Sequence, residues 1–314
     1  MSIAERQAEL ALPSVAERRS KKRRGFTDNW WRHVIALISV VIALFPVAYI
    51  VSAAFNGDNS LSGSSLIPHK LTLDNFRSLF GVQQHTTGHA TFQNAHYLSW
   101  FANSMIVAGA TALLTVLLSA LAAYAFSRFR FRGRRLGMLT LLLIQMFPQL
   151  LAVVAIYLIV LNTGDVFHFI GLNTLLALII VYLGGAMGVN TWLMKGFFDT
   201  IPAELDESAR VDGATPAQVF WGVVLPLAAP VLAVIALISF ISTLNEFVIA
   251  SVILETQHRF TLPVGLWQFI DQKYSEHWGP FAAGVLIAAI PAALLFAFLQ
   301  RYIVQGLTQG AVKG

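Results

Sequence analysis

The chain contains no cysteine and few charged residues. Without cysteine it can form neither a disulfide nor a cysteine-ligated metal site. Charged residues make up 12% and apolar residues 56% of its 314 residues. Soluble domains carry about twice that share of charge. Because apolar runs of twenty or more residues also recur, the sequence predicts an all-α membrane protein with several spanning helices.

Signatures of enzymes and of energy-coupling sites are missing as well. No Gly-Lys dipeptide occurs, so the chain has no phosphate-binding P-loop, and neither His-Glu-x-x-His nor Gly-x-Ser-x-Gly is present. No predicted span carries paired carboxylates, which argues against an ion-coupled secondary transporter. An intramembrane enzyme would need a nucleophile–base pair, and none is recognisable. We predict no catalytic residue, cofactor or metal in this chain, so another polypeptide must supply the energy for any active transport.

Six apolar runs are long enough to cross a hydrocarbon core about 30 Å thick. They lie at about 31–53, 99–126, 136–160, 173–195, 222–248 and 279–303. Prolines inside these runs remove backbone hydrogen bonds and allow bends. These prolines are Pro46, Pro148, Pro226, Pro230 and Pro291. The predicted organisation is a polar segment 1–30, a six-span domain 31–303 and a tail 304–314.

The distribution of basic residues predicts the orientation in the membrane. The two ends of the chain and the loops 127–135 and 195–222 hold 17 of the 21 Lys and Arg residues. By the positive-inside rule these segments, including both termini, are cytoplasmic, and the protein lies in the cytoplasmic (inner) membrane. We interpret the basic cluster 18–24 as a topology signal rather than a nucleic-acid site. The basic and aromatic loop 127–135 is interpreted as an anchor for membrane lipid headgroups.

Two outer loops carry side chains that invite a functional interpretation. His85, His89 and His96 lack a rigid frame and an intervening carboxylate, so a solvated loop is favoured over a metal site. The loop 255–278 carries five aromatic residues, which are typical of a belt at the headgroup level. Asn245 and Glu246 fall near the outer end of the fifth span. An interfacial Glu needs no special role, but a place on a translocation path stays open for this pair.

The stretch 199–226 is a polar segment between two long apolar runs. Pro202 can occupy the first turn of a helix, and Gly213 can close that helix in the left-handed conformation. Thr215 as N-cap, Pro216 at the first helical position and Gln218 three residues after the cap make a capping box. The sequence therefore predicts two short helices joined by a tight turn.

The same stretch carries a motif with two matching gap lengths. Glu207-Ser208-Ala209 is followed after three residues by Gly213 and after nine more by Val223-Val224-Leu225-Pro226. This pattern resembles the EAA motif of ATP-binding cassette (ABC) importer permeases, with Ser208 and Val223 as its two departures. The likeness extends over nearly the whole chain and is greatest to permeases for maltose and maltodextrin. Further stretches that carry it are 145–148, 169–174, 209–216 and 306–314.

The resemblance implies a six-span type I ABC importer permease fold with a cytoplasmic coupling-helix loop at 199–226. It also implies the partners: a second permease subunit, two ATPase subunits that bind ATP and Mg, and an external sugar-binding protein. The transported compound would be maltose, maltodextrin or a related oligosaccharide, with trehalose as an alternative.

The resemblance also assigns roles to residues. The helix around Glu204 to Asp212 would be the coupling helix, seated in a cleft of an ATPase subunit. Its contacts would come from Glu204, Leu205, Glu207, Ser208, Ala209, Arg210, Asp212 and Gly213. Leu205, Ser208 and Ala209 would form a small apolar face, and Asp206 could pair with Arg210 one turn later. Gln309 and Gly310 of the tail would contact the ATPase subunits, and the loop 255–278 would meet the binding protein.

Overall fold

The computed structural model describes residues 30–57, 68, 70–80, 96–271 and 277–311, with side chains as far as Ile303 except that of Gln149. The regular structure of these residues is helical, apart from one isolated antiparallel bridge between Asn56 and Leu71. The predicted all-α class is confirmed. The basic cluster 18–24, His85 and His89 lie outside the described residues.

The helices of the first half of the described chain are α1 Trp30–Phe55, α2 Asp74–Leu79, α3 Tyr97–Arg128, α4 Arg134–Gln145, α5 Gln149–Val166 and α6 Leu175–Phe198. Those of the second half are α7 Ala203–Val211, α8 Pro216–Val219, α9 Leu225–Leu227, α10 Ala229–Leu244, α11 Val248–Ile253, α12 Leu262–Trp267 and α13 Trp278–Ala311. A π-helical turn, Phe220–Val224, joins α8 to α9.

Residues 1–49 and residues 50–314 form two compact units. In the first unit the described residues belong to α1, whose apolar side chains are exposed, as Leu37 and Ile42 are at 64% and 67%. A helix that is apolar on all sides is typical of a membrane span.

The second unit is built around α3. This helix packs against α6 and α10, and α10 also packs against α13. The buried positions of α3 carry mainly small side chains, among them Ser104, Ala108, Thr111, Thr115 and Ala120. Small residues let neighbouring helices approach closely, which is how helices associate inside a membrane. The core therefore depends on close helix contacts more than on large apolar side chains.

Two of the six predicted spans are broken in the structure. Between α4 and α5 the chain turns by 104° next to Pro148, and between α9 and α10 it turns by 77° at Ala228. Pro148 has an extended backbone and has no N–H to donate, so the helix ends before it. Pro230 cannot donate a hydrogen bond to the carbonyl of Pro226, and the π-helical turn adds a second irregularity. By contrast, α1 and α13 continue through Pro46 and Pro291.

By length and composition, four helices of the described chain can cross a membrane: α1, α3, α6 and α13. The count rises to six if each bent pair is one span. This agrees with the six predicted spans, although the third begins at Arg134 and the fifth ends as a helix at Leu244 rather than at 248.

Gly265 provides a test of the close packing between α12 and α3. A Cβ atom at this position would lie 2.1 Å from the Trp100 ring, whereas one at Gly109 would meet nothing within 4 Å. We expect Gly265→Ala to lower stability by about 1–3 kcal/mol through overpacking. Gly109→Ala should leave stability equal or slightly higher, since alanine favours helix. Thermal unfolding of the two purified variants measures the difference, and equal melting temperatures would contradict the packing.

Candidate functional site

The helix α7 is the centre of the candidate site. It follows Pro202, which precedes the first turn as an extended residue rather than lying inside it. Glu204 and Asp206 lie in the first turn and Arg210 in the last. Acids near the start and a base near the end complement the helix dipole, so this short helix is stabilised by its own sequence.

Gly213 ends α7 in the left-handed conformation, with φ at +86°. The N–H of Gly213 donates to the carbonyl of Arg210, and the N–H of Ala214 donates to the carbonyl of Ala209, both at 3.0 Å. This pair of bonds is a Schellman motif, which any L-residue at position 213 would strain. The predicted helix end at Gly213 is confirmed.

A capping box starts the next helix two residues later. The Thr215 hydroxyl oxygen accepts from the Gln218 N–H at 3.3 Å, and the Gln218 amide oxygen accepts from the Thr215 N–H at 2.7 Å. Pro216 occupies the first helical position, as predicted. Both ends of the turn are therefore held by hydrogen bonds, so α7 and α8 are connected by a defined turn.

A buried ion pair attaches α7 to the end of α3. Arg128 is the last residue of α3, and its Nε lies 2.8 Å from Oδ2 of Asp206. The two side chains are only 10% and 5% exposed. Arg128 also donates from Nη2 to the carbonyl of Ile201 at 2.9 Å. The expected pair of Asp206 with Arg210 is wrong, because Asp206 faces α3 from the buried side of α7 while Arg210 is exposed.

A second contact ties the start of this loop to two helices. Asp199 follows α6, accepts a hydrogen bond from the Ser127 hydroxyl at 2.7 Å, and pairs with the Lys195 ammonium. Partial burial opposes ionisation of Asp199, but the hydrogen bonds from Lys195 and Ser127 prevail and hold its pKa below the ordinary value. Asp199 is therefore a carboxylate at neutral pH and joins α6 to the end of α3.

The outward face of α7 differs in one respect from the expected one. Ala209 is half-buried and packs against the core cluster that contains Phe198 and Phe220. Val211 takes its place outside, at 87% exposed. The other predicted coupling residues of this helix and its cap are exposed: Glu204, Leu205, Glu207, Ser208, Arg210, Asp212 and Gly213. Val211 was not among the contact residues predicted from the sequence. An isolated β-branched residue in a polar helix was a signal that could have identified it as an exposed apolar side chain.

At the other end of α10, Glu246 has a structural role. Its carboxylate accepts from the N–H groups of Ile249 at 2.8 Å and Ala250 at 3.1 Å, and from the Tyr182 hydroxyl. It thus caps the start of α11 and joins it to α6. Asn245 is exposed and lines a cavity of about 500 Å³ together with Trp267 of α12.

The segment after α11 is fixed rather than loose. Asn173, with a positive φ of 59°, accepts from the backbone of Glu255 and Thr256 through its side-chain oxygen. The Trp100 indole donates to the carbonyl of Gln257 at 2.6 Å. Among the five aromatic residues predicted for a headgroup belt, Phe269 is instead buried in the core, at 1% exposed. Trp267 is 51% exposed.

Two further predictions concern the tail and the metal sites. Gln309 and Gly310 belong to the last turns of α13, which continues to Ala311, but their side chains lie outside the described set. Across the described residues there is no group of three or more His, Asp or Glu side chains placed to hold a metal ion.

The chain matches one family model. The model is described as "binding-protein-dependent transport system inner membrane component" and matches residues 115–309. That range contains α7, its cap and the Asp199 contact, but it begins after the start of α3.

Full-length relatives are similar over nearly the whole chain. The galactooligosaccharides transport system permease protein GanQ of Bacillus subtilis (strain 168) is 38% identical over 93% of this chain and 98% of its own length. The maltose/maltodextrin transport system permease protein MalG of Salmonella typhimurium is 40% identical over 90% of this chain and 95% of its own length. MalG of Escherichia coli (strain K12) is 38% identical over 96% and 100%.

Two solved structures are similar in fold. One is a bacterial ABC transporter involved in import of the acidic polysaccharide alginate, with a TM-score of 0.71 and 22% identity over 88% of this chain and 98% of that one. The other is a bacterial alginate ABC transporter in complex with an alginate pentasaccharide-bound periplasmic protein, with a TM-score of 0.60 and 17% identity over 88% and 96%. The predicted permease fold is confirmed.

The ion pair predicts that Asp206→Ala loosens α7 while Glu207→Ala does not. Removing one member of a buried pair leaves the other charge unpaired, at a cost on the order of 3 kcal/mol. Glu207 is the adjacent acid, but it is exposed. Hydrogen exchange of the amides 203–213 should become roughly 100-fold faster in Asp206→Ala and stay unchanged in Glu207→Ala.

The double variant Arg128→Met/Asp206→Leu removes both charges together and should restore much of the protection, since apolar side chains can replace a buried pair. Wild-type exchange in the single Asp206→Ala variant would contradict the anchoring role of this pair.

Proposed function

The chain belongs to the family of binding-protein-dependent transport system inner membrane components, and we propose that it moves maltose, maltodextrin or a related oligosaccharide. It is a permease subunit of an ABC sugar importer, a membrane component and not itself an enzyme. The mechanism rests on α7, an exposed helix whose C-terminal end is capped and whose buried side is anchored to the spans.

We propose that α7 is the coupling helix and docks on an ATPase subunit. The chain has no P-loop, so ATP and Mg would be bound by two partner ATPase subunits. Its other partners would be a second permease subunit and an external sugar-binding protein. In this assignment both termini and the loop 199–226 are cytoplasmic, as the distribution of basic residues favours.

The exposed face of α7 has the chemistry of a docking surface. Leu205 and Val211 are 42% and 87% exposed, so this short polar helix presents apolar area that a partner can bury. Glu204 and Glu207 are exposed acids on the same helix. Apolar contacts would supply affinity, and the charges would set the register on the partner.

Two contacts would transmit movement of the coupling helix to the spans. Arg128–Asp206 joins α7 to α3, and Ser127–Asp199–Lys195 joins the start of the loop to α3 and α6. Because α3 packs against both α6 and α10, a displacement of α7 would be shared by three spans. Closure of the ATPase subunits on ATP would thus be converted into rocking of helices.

The outer end is proposed to meet the binding protein and the sugar. Asn245 and Trp267 line one cavity and provide an amide and an exposed indole. Glu246 would act indirectly, by holding α11 in place. The relatives named for maltose/maltodextrin and for galactooligosaccharides favour an oligosaccharide over trehalose. Affinities of the partner binding protein for a panel of these sugars would decide between them.

Gln309 and Gly310 are proposed to contact the ATPase subunits from the end of α13. Deletion of residues 307–314 should then lower ATPase co-purification. Full coupled transport by the truncated chain would refute this contact.

We expect Glu207→Arg and Gly213→Pro to impair coupling while membrane insertion survives. Glu207→Arg reverses a charge on the docking face. Gly213→Pro removes the N–H that donates to Arg210 and requires a negative φ where the structure has +86°. Transport-coupled ATP hydrolysis should fall at least tenfold in both variants. Losing a contact that sets the register on the ATPase subunit costs more than about 1.4 kcal/mol.

Asp165→Arg is the matched control for the charge reversal. Asp165 is an exposed acid in the last turn of α5, near the start of α6, whereas α7 follows the end of α6. It should leave ATPase co-purification unchanged. Normal coupled transport in Glu207→Arg and Gly213→Pro would refute the assignment of α7.

A further inference from the structure

A cationic cavity lies where the start of α4 meets the end of α6. It has a volume of about 570 Å³ and is lined by Arg134, Arg135, Met138, Leu139, Leu142, Trp192 and Lys195. We propose that it binds one anionic phospholipid, with the phosphate on the arginines and an acyl chain along the apolar side chains. The cavity shares Lys195 with the Asp199 contact but does not include the exposed face of α7, and it is independent of which sugar is transported.

The cavity has an excess of positive charge. Neither Arg134 nor Arg135 lies within 4.0 Å of a carboxylate among the described residues. Asp199 interacts electrostatically with Arg134, but it is already engaged by Lys195 and by the Ser127 hydroxyl. Three cations and one engaged acid leave room for an anionic ligand, and arginine is well suited to bidentate contact with phosphate.

The order of side chains along α4 matches the order of groups in a phospholipid. Arg134, Met138 and Leu142 are spaced by four residues and share one face of the helix. Arg135 and Leu139 repeat the pattern beside them. The face therefore changes from cationic to apolar within two turns, about 11 Å along the axis. A soluble phosphate would use only the cationic part of this face.

The position of Trp192 supports a ligand at the membrane boundary. It lies three residues before Lys195 on α6, so both side chains face the same cavity, and it is 49% exposed. Tryptophan is enriched where headgroups meet hydrocarbon, and basic side chains there attract anionic lipids. The positive charge at the start of α4 also favours an anionic ligand. Two arginines occupy its first turn, where a helix favours anions and no acidic residue is present.

An acidic surface of a partner protein is the other occupant to consider. The apolar wall below the arginines argues against it, because a protein carboxylate would leave Met138, Leu139 and Leu142 uncovered. The cavity thus favours a molecule that carries its own hydrocarbon chain.

The experiment is native mass spectrometry of the intact transporter complex, titrated with phosphatidylglycerol or with phosphatidylcholine of the same chain length. We expect Arg134→Gln/Arg135→Gln to weaken binding of the first phosphatidylglycerol roughly 30-fold, the effect of two basic contacts at a membrane surface. Binding of phosphatidylcholine should not change, and Arg134→Lys/Arg135→Lys should keep much of the phosphatidylglycerol affinity.

Arg130→Gln/Arg132→Gln is the matched control, since it removes two exposed arginines of the same loop that do not line the cavity. Although we also expect this loop to contact headgroups in general, the variant should bind the first phosphatidylglycerol like the wild type, because neither arginine lines the cavity. Equal weakening in both double variants, or none in either, would overturn the proposal.

The apolar wall is tested separately with Met138→Gln/Leu139→Gln and with glycerol phosphate, which has the anionic group but no acyl chain. The variant should lose affinity for phosphatidylglycerol, and glycerol phosphate should compete only weakly. Strong competition by glycerol phosphate would indicate a soluble-phosphate site instead. Loss of ATPase co-purification in Arg134→Gln/Arg135→Gln with phosphatidylglycerol binding intact would indicate a protein partner and would also overturn the lipid site.

Discussion

A buried ion pair attaches α7, the proposed coupling helix, to the spanning helices. Arg128 at the end of α3 and Asp206 in α7 are both removed from solvent, so neither charge can be left alone without a large cost. The pair therefore holds α7 against a spanning helix. The Schellman motif at Gly213 ends this short helix, the capping box of α8 fixes the turn that follows, and the outer face of α7 is exposed.

Two bends next to prolines shape the spans to which α7 is attached. The bends at Pro148 and at Ala228 divide two spans into shorter helices, while α3 runs unbroken for 32 residues between them. A continuous central helix that contacts both α6 and α10 can carry a displacement along its length. The broken helices around it can adjust at their joints, because each joint already lacks regular hydrogen bonds.

Local chemistry was predictable from sequence, and long-range pairing was not. Gly213 and the Thr215–Gln218 capping box depend on neighbours within a few residues, so their patterns predicted the observed turn. Asp206 pairs with a residue 78 positions earlier, and a helical rule naming Arg210 chose the wrong partner. Proline alone did not reveal which spans break, since α1 continues through Pro46 whereas α4 stops before Pro148. Tertiary contacts decide those cases.

The buried ion pair should make α7 and α3 move as one body. The chain has no cysteine, so Leu121→Cys in α3 and Ser208→Cys in α7 would carry the only two spin labels on this subunit. Electron–electron distance measurements should compare nucleotide-free and ATP-bound complexes whose ATP hydrolysis shows that they cycle. If α7 and α3 move together, the distance distribution should be the same in both states. A shift approaching one helical turn, about 5 Å, would contradict it.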